Sequence, residues 1–224
     1  SLGILGESGS GKSTTGRVLA GLLKPDSGLV RIEGNDVYAD RRGREHLQNC
    51  LSIVFQDYTT SANPRFTIQQ VIAEGIAVGE RKTREKVRYA DETVRLLELV
   101  GLDGSFARRF PHELSGGQLQ RVCIARAIAC KSKLILFDEA VSSLDAHTQV
   151  QIMDLLLELK EKLGLTYIFI THDLTSITYF CSRVIFLKDG IVVADSSVKD
   201  LAKLDVPYAK ELLGAVLDFN ARCV

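Results

Sequence analysis

The sequence has no apolar run close to the ~20 residues that a membrane-crossing helix needs. It has no C-x-x-C pair, no internal repeat, no low-complexity tract and no visible signal-peptide pattern. It also lacks an excess of charge, with 28 Lys+Arg against 28 Asp+Glu. These absences exclude a helical membrane span within these residues, a zinc ribbon, a solenoid and a broad polyanion-binding surface, so no nucleic-acid partner is expected. Five cysteines (Cys50, Cys123, Cys130, Cys181 and Cys223) are scattered along the chain. An odd, unpatterned set reads as reduced thiols rather than a disulfide framework or a zinc site; a metal-binding tail beyond Cys223 stays open. Arg41-Arg42-Gly43-Arg44 is a small basic cluster that reads as a solvated loop.

With 224 residues, 46% hydrophobic and 25% charged, the chain can bury the core of one domain or of a domain with a subdomain. Near the start, Gly6-Glu7-Ser8-Gly9-Ser10-Gly11-Lys12-Ser13-Thr14 fits G-x-x-x-x-G-K-S/T without mismatch. Leu2 to Leu5 read as a short strand before it, and Thr15 to Leu23 as a helix after it with apolar Val18, Leu19 and Leu22. Strand, loop and helix form the context this motif requires. Glycines let backbone N–H groups turn toward phosphate oxygens, and a helix start adds partial positive charge. Lys12 is placed to reach the β- and γ-phosphates of a nucleoside triphosphate, and Ser13 to ligate Mg²⁺.

Three further strands end in polar side chains. Leu134-Ile135-Leu136-Phe137 reads as a strand buried on both faces, as in a parallel sheet, and it ends in Asp138-Glu139. Asp138 suits Mg²⁺, and Glu139 suits a general base for water. Tyr167-Ile168-Phe169-Ile170 ends in Thr171-His172-Asp173, where His172 can contact a γ-phosphate and orient Glu139. Ser52-Ile53-Val54-Phe55 precedes Gln56, whose amide oxygen can ligate Mg²⁺. Each of the three, alone, is an ordinary loop feature; beside the phosphate loop they form a set.

Leu114-Ser115-Gly116-Gly117-Gln118 precedes a predicted helix, Gln120 to Ala129, and offers a hydroxyl and glycine N–H groups as a second anion site. Two anion sites for one triphosphate suggest that the second serves another subunit. Elsewhere, Gly28 to Gly34 alternates like a half-buried strand. Val87, Ala90, Val94 and Leu97 form a stripe read as core packing, with Gly101 closing the helix. Asp189-Gly190 between two apolar runs predicts a hairpin. Residues 196–217 read as two short helices, the second starting at Pro207.

Together these segments resemble the nucleotide-binding subunit of an ATP-binding cassette (ABC) transporter, over nearly the whole chain and in the family's order. Gly6 to Thr14 match its Walker A, Gln56 its Q-loop, and Leu114 to Gln118 its signature. Leu134 to Glu139 match its Walker B, Ser142-Ser143-Leu144-Asp145 its D-loop and His172 its H-loop. The resemblance implies an α/β P-loop fold over 1–224 with a mainly parallel sheet, a helical subdomain at 66–130 and a C-terminal β-hairpin with helices. It implies ATP and Mg²⁺ held between two head-to-tail subunits, with Asp145 linking the two sites. Phe55-Gln56-Asp57, Ser61-Ala62-Asn63-Pro64-Arg65-Phe66-Thr67 and Val206-Pro207-Tyr208-Ala209-Lys210-Glu211-Leu212-Leu213 resemble the peptide/nickel importer branch.

For that branch the implied partners are a second cassette ATPase, two transmembrane permease subunits and, indirectly, an extracytoplasmic substrate-binding protein. The implied place is the cytoplasmic face of the membrane. The alternatives are a soluble cassette ATPase of a cytosolic complex, such as the carbon–phosphorus lyase system, and an exporter subunit. Two departures stand out. The family's adenine-stacking aromatic and first strands have no counterpart here, so an N-terminal piece is expected to be missing, with weak ATP binding as a consequence. Ala140 replaces the branch's Pro and can donate an N–H that Pro cannot; little effect on chemistry is expected.

Overall fold

The computed structural model describes residues 1–142 and 144–213. Its main sheet has β1 (Leu2–Leu5), β4 (Leu51–Val54), β5 (Leu134–Asp138), β6 (Thr166–Thr171), β7 (Arg183–Lys188) and β8 (Ile191–Ser197), in the order β4-β5-β6-β1-β7-β8. All neighbours run parallel except β7 and β8, which form an antiparallel hairpin. Asp189 and Gly190 turn that hairpin with φ of 49° and 77°, the left-handed pair that a tight hairpin turn requires. A separate two-stranded piece pairs β2 (Arg31–Ile32) with β3 (Asn35–Asp36).

The parallel register brings the carboxyl ends of the strands to one edge: Leu5 lies opposite Thr171, Val54 opposite Phe137, and Asp138 opposite Ile170. Open α/β sheets bind ligands at that edge.

Both sheet faces are covered, and each strand's side chains alternate between two cores. Ile135, Phe137, Tyr167 and Phe169 pack on one side, while Leu136 and Ile170 pack on the other with Val37 and Leu47. Phe169 stacks between Phe137 at 4.7 Å and Phe180 at 4.5 Å. The hydroxyl of the fully buried Tyr167 donates to the Leu156 carbonyl at 3.0 Å, so burial leaves no polar atom of that ring unpaired.

Helix α1 (Lys12–Leu19) lies on β6 at Gly16, where a Cβ would stand 2.5 Å from Ile170 Cδ1. The helix ends four residues before the predicted Leu23, because Gly21 turns the chain with φ 75°, and Leu22 and Leu23 are exposed. Helix α2 (Arg41–Cys50) is capped by Asp40 and includes the basic cluster expected to be a loop. Its arginines still face solvent, so the charge reading holds while the conformational one does not. The strand expected over 28–34 shrinks to Arg31–Ile32, since the strand it pairs with among the described residues is two residues long.

Helices α3 (Tyr58–Ser61), α4 (Ile68–Thr83), α5 (Tyr89–Leu99) and α6 (Gly116–Ala129) lie between β4 and β5. Thr67 and Gln70 form a capping box at the start of α4. The α5 stripe is out of phase with the expectation: Val87, Ala90 and Val94 are exposed, whereas Thr93, Leu96, Leu97 and Val100 are buried. Gly101, at φ 73°, ends this helix as expected. Helix α6 begins at Gly116, four residues before the predicted Gln120, because Ser115 is its cap. Helices α7 (Ala146–Leu163) and α8 (Leu174–Phe180) follow β5 and β6. Beyond β8, Val198–Lys203 is a 3-10 turn and residues 207–213 are helical from Pro207. The remainder of that second predicted helix, 214–217, and Cys223 and Ser143 lie outside the described residues.

Candidate active site

The loop from Gly6 to Gly11 leaves the end of β1 and enters α1. Gly6 has no room for a side chain: a Cβ would stand 2.2 Å from the Leu187 carbonyl oxygen. Gly11, at φ 97°, occupies the N-cap position, so α1 starts with neither a side-chain cap nor an acidic residue in its first turn. A helix start left this way keeps its N–H groups for an external acceptor. Ser10 Oγ, buried, also has no hydrogen-bond partner among the described residues. Lys12 is 4% exposed, and its Nζ donates to the Glu7 carbonyl at 2.7 Å across the loop. Burial lowers the Lys12 pKa, opposed by the charges of Glu139, Asp138 and Glu7. Ser8, Gly9 and Thr14 are exposed along the loop, as is the Glu7 side chain.

Asp138 ends β5 beside this loop, and Ser13 Oγ donates to its Oδ1 at 3.4 Å. Burial raises the Asp138 pKa, with Glu139's charge adding to it; Ser13, Arg17 and Lys12 pull it back. Two adjacent carboxylates, one of them desolvated, form a place that gains from a cation. The oxygen donors Ser13 and Asp138 fit Mg²⁺, which prefers such ligands together with substrate phosphates. Gln56, exposed two residues beyond β4, leaves the same sheet edge. Its neighbour Asp57 caps α3: the Thr59 hydroxyl first, then the N–H groups of Thr60 and Thr59, donate to its carboxyl and hold it down at about 2.

Glu139 is fixed from several directions. Its φ is 48°, a left-handed conformation rare for a non-glycine residue. Its N–H donates to Ile170 O at 2.8 Å, and its carbonyl accepts from Ser142 Oγ at 2.8 Å. The carboxylate is 15% exposed, and Oε2 lies 3.5 Å from Nδ1 of His172, whose side chain is 55% exposed. Residues from the ends of β5 and β6 thus converge where β1 delivers the phosphate loop.

The Leu114 to Gln118 segment forms the start of α6. Ser115 Oγ accepts from Gln118 N at 3.3 Å, and Gln118 Oε1 accepts from Ser115 N at 2.9 Å. The hydroxyl is exposed and serves as acceptor in that bond, so its own proton is left to donate outward. Gly117 packs where a Cβ would meet Thr148 Cγ2 at 2.4 Å, and Gly116 and Leu114 are half-buried beside it. Asp145 caps α7, accepting from Thr148 N at 3.0 Å.

One loop contact escapes sequence reasoning. The hydroxyl of Tyr208, 201 residues away, accepts from the Glu7 N–H at 3.0 Å. Its ring is buried beneath Lys188, whose Nζ lies 4.7 Å from the ring centroid. Gly190 N donates to Ser10 O at 3.0 Å, so the β7–β8 turn and Tyr208 support the loop from below. The only signal was the Pro-Tyr-Ala-Lys segment itself, which marked a branch and named no contact. Tyr208→Phe leaves the part-buried Glu7 N–H without its partner, a cost below the about 1–3 kcal/mol of a fully buried donor. A several-fold weaker ATP affinity is expected, with the fold intact, in a fluorescent-nucleotide titration; an unchanged affinity would show that the loop holds its shape without this bond.

A sheet edge that gathers a phosphate loop, an acidic pair and a histidine defines a P-loop nucleoside triphosphatase. Residues 1–142 match the ABC transporter family model. The chain is 41% identical over 218 residues to the metal-staphylopine import system ATP-binding protein CntF of Staphylococcus aureus, covering 97% of this chain and 85% of that one. It is 39% identical over 218 residues to the oligopeptide transport ATP-binding protein OppF of Bacillus subtilis, covering 96% and 71%. Among solved structures, the dimeric post-hydrolysis state of the ATP-binding cassette MJ0796 bound to ADP and Pi superposes with a TM-score of 0.75. That match has 32% identity and covers 88% of this chain and 84% of that one. The chain belongs to the ATP-hydrolysing cassette family of ABC transporters.

Proposed function

We propose that this chain powers an importer for peptides, nickel or a metal chelate by closing head to tail on a second cassette ATPase. The observation that carries the proposal is the pairing of two differently built helix starts in one chain. The uncapped α1 start, with Lys12, suits the phosphates of the chain's own ATP. The Ser115 start, with its outward hydroxyl, suits the γ-phosphate of an ATP held by the partner.

In this reading the loop N–H groups from Gly6 to Thr14 and Lys12 hold the triphosphate. Ser13, Asp138 and Gln56 would hold Mg²⁺, which would supply positive charge to offset that of the triphosphate. His172 orients Glu139 and the attacking water. Glu139 takes a proton from that water as its oxygen bonds to the γ-phosphorus and the bond to ADP's β-oxygen breaks. Ser115, Gly116 and Gly117, fixed by Leu114 and Gln118, donate from the facing subunit, and Asp145 connects the two sites. Loss of the bridging γ-phosphate then opens the dimer. The segment 66–130 is taken as a helical subdomain of one cassette domain and as the receiver of a membrane subunit.

No described helix is long and apolar enough to cross a membrane, so the spanning parts and the cargo selectivity are assigned to other chains. The proposed place is peripheral, on the cytoplasmic face. The test is a pull-down of the full-length protein from detergent-solubilised membranes, with co-purifying chains identified by mass. Two multi-span proteins and a second cassette ATPase are expected. Recovery of cytosolic enzymes alone would overturn the importer reading in favour of an ATPase of a soluble complex. Cargo accumulation rather than efflux in intact cells separates import from export.

A further inference from the structure

We propose that Glu33, His46 and Cys50 form a binding site for a divalent transition-metal ion of the zinc class. The three donors come from two elements. His46 and Cys50 are one turn apart on the same face of α2, and Glu33 reaches over from the β2–β3 turn. His46 Nε2 lies 3.1 Å from Glu33 Oε2, Cys50 Sγ 3.6 Å from His46 Nε2, and Cys50 Sγ 3.9 Å from Glu33 Oε2. Tetrahedral zinc with ordinary Zn–S, Zn–N and Zn–O bonds has ligand-to-ligand edges of about 3.3–3.6 Å. The triangle therefore needs adjustments of only a few tenths of an ångström to close on an ion.

The backbone supports the same reading. Glu33 and Gly34 form the two-residue turn between β2 and β3, with φ of 49° and 82°. Such turns favour Asn or Gly at both positions, and a glutamate there is strained. From this turn the Glu33 carboxylate reaches His46 on α2. Burial first and Glu33's charge next hold the Cys50 thiol up, while Lys82 and Lys133 pull it down. A cleft lined by Asp36, Asp40, Arg42 and His46, with charges of both signs, opens beside the cluster at His46.

The donor set distinguishes this site from the one at the sheet edge. Imidazole and thiolate suit zinc and its neighbours, whereas the oxygens of Ser13 and Asp138 suit magnesium. Three protein ligands leave one position for water, the arrangement of an exchangeable site rather than a closed structural one. Binding releases the Cys50 thiol proton to solvent and ties the β2–β3 turn to α2.

The experiment is titration of the metal-free full chain with Co²⁺, followed by competition with Zn²⁺. One equivalent of Co²⁺ should give a thiolate-to-metal charge-transfer band with tetrahedral d–d absorption, and Zn²⁺ should displace both. Cys50→Ser should abolish the charge-transfer band. His46→Ala should weaken binding at least ~10-fold, the scale seen even for groups that only orient ligands. Cys130→Ser and Cys223→Ser should leave the spectrum unchanged. ATPase activity and the metal-free melting temperature should be retained in every variant, which separates lost ligation from lost folding. Absence of the band in the wild-type chain, or its survival in Cys50→Ser, would overturn the proposal.

Discussion

Glu139→Gln is expected to lower steady-state ATP hydrolysis by about 10²–10⁴-fold, the usual contribution of a general base, while ATP binding persists. The amide keeps the size and the reach of the carboxylate. Its backbone restraints, the bonds to Ile170 O and from Ser142 Oγ, do not involve the side chain and remain. What is lost, in the role proposed for Glu139, is an acceptor for the water proton. The substitution also removes a negative charge beside Asp138, where Glu139 is the second cause, after burial, of the raised pKa. Less repulsion around the γ-phosphate should favour the ATP-bound closed state. Size-exclusion chromatography with Mg·ATP should therefore show the variant as a persistent dimer where the wild-type chain returns to its open form. Undiminished hydrolysis by Glu139→Gln would remove Glu139 from the role assigned to it.

The parts of this site that could be read in the sequence are those whose chemistry is local. A phosphate loop needs glycines and a lysine at fixed spacing, and Asp189-Gly190 dictates a hairpin whatever surrounds it. Gly101 announced the end of α5 in the same way. The convergence of Asp138, Glu139 and His172 required one further inference, that apolar runs ending in polar residues are parallel strands ending at one edge. The misreadings share a different cause. Val94 and Thr93 sit next to each other on α5, and hydropathy favours the valine; the face that α5 turns inward carries the threonine instead. Leu22 fits the apolar pattern of a longer α1, but Gly21 turns the chain before it. Tyr208 and Glu7 are far apart in sequence, and so are Glu33 and Cys50; only the folded chain brings such pairs together. The order β4-β5-β6-β1-β7-β8 was likewise beyond pattern reading, because pairing partners are set by the whole sheet.

Lys12→Met carries the second large effect. The Lys12 ammonium is buried in the loop and charge-linked to Asp138, Glu139 and Glu7. Hydrogen bonds to charged groups contribute about 1.5–3 kcal/mol each. Loss of one such bond to the triphosphate corresponds to a ~10- to 150-fold weaker affinity for ATP. Methionine fills similar volume and keeps the stem's packing, so the change removes charge rather than shape. Methionine removes a desolvated charge but also the Nζ bond to the Glu7 carbonyl, two opposing changes, so the apo melting temperature should stay close to that of the wild type. The Asp138 carboxyl should shift further up, because Lys12 is one of the groups that lower it. The decisive measurement pairs two melting curves, without and with Mg·ATP. A wild-type chain is stabilised by a ligand that binds only its folded state, and the variant should lose that increment while its apo curve stays in place. If Lys12→Met retains the full ATP-dependent increment, the triphosphate is held elsewhere, and the uncapped start of α1 would need another ligand.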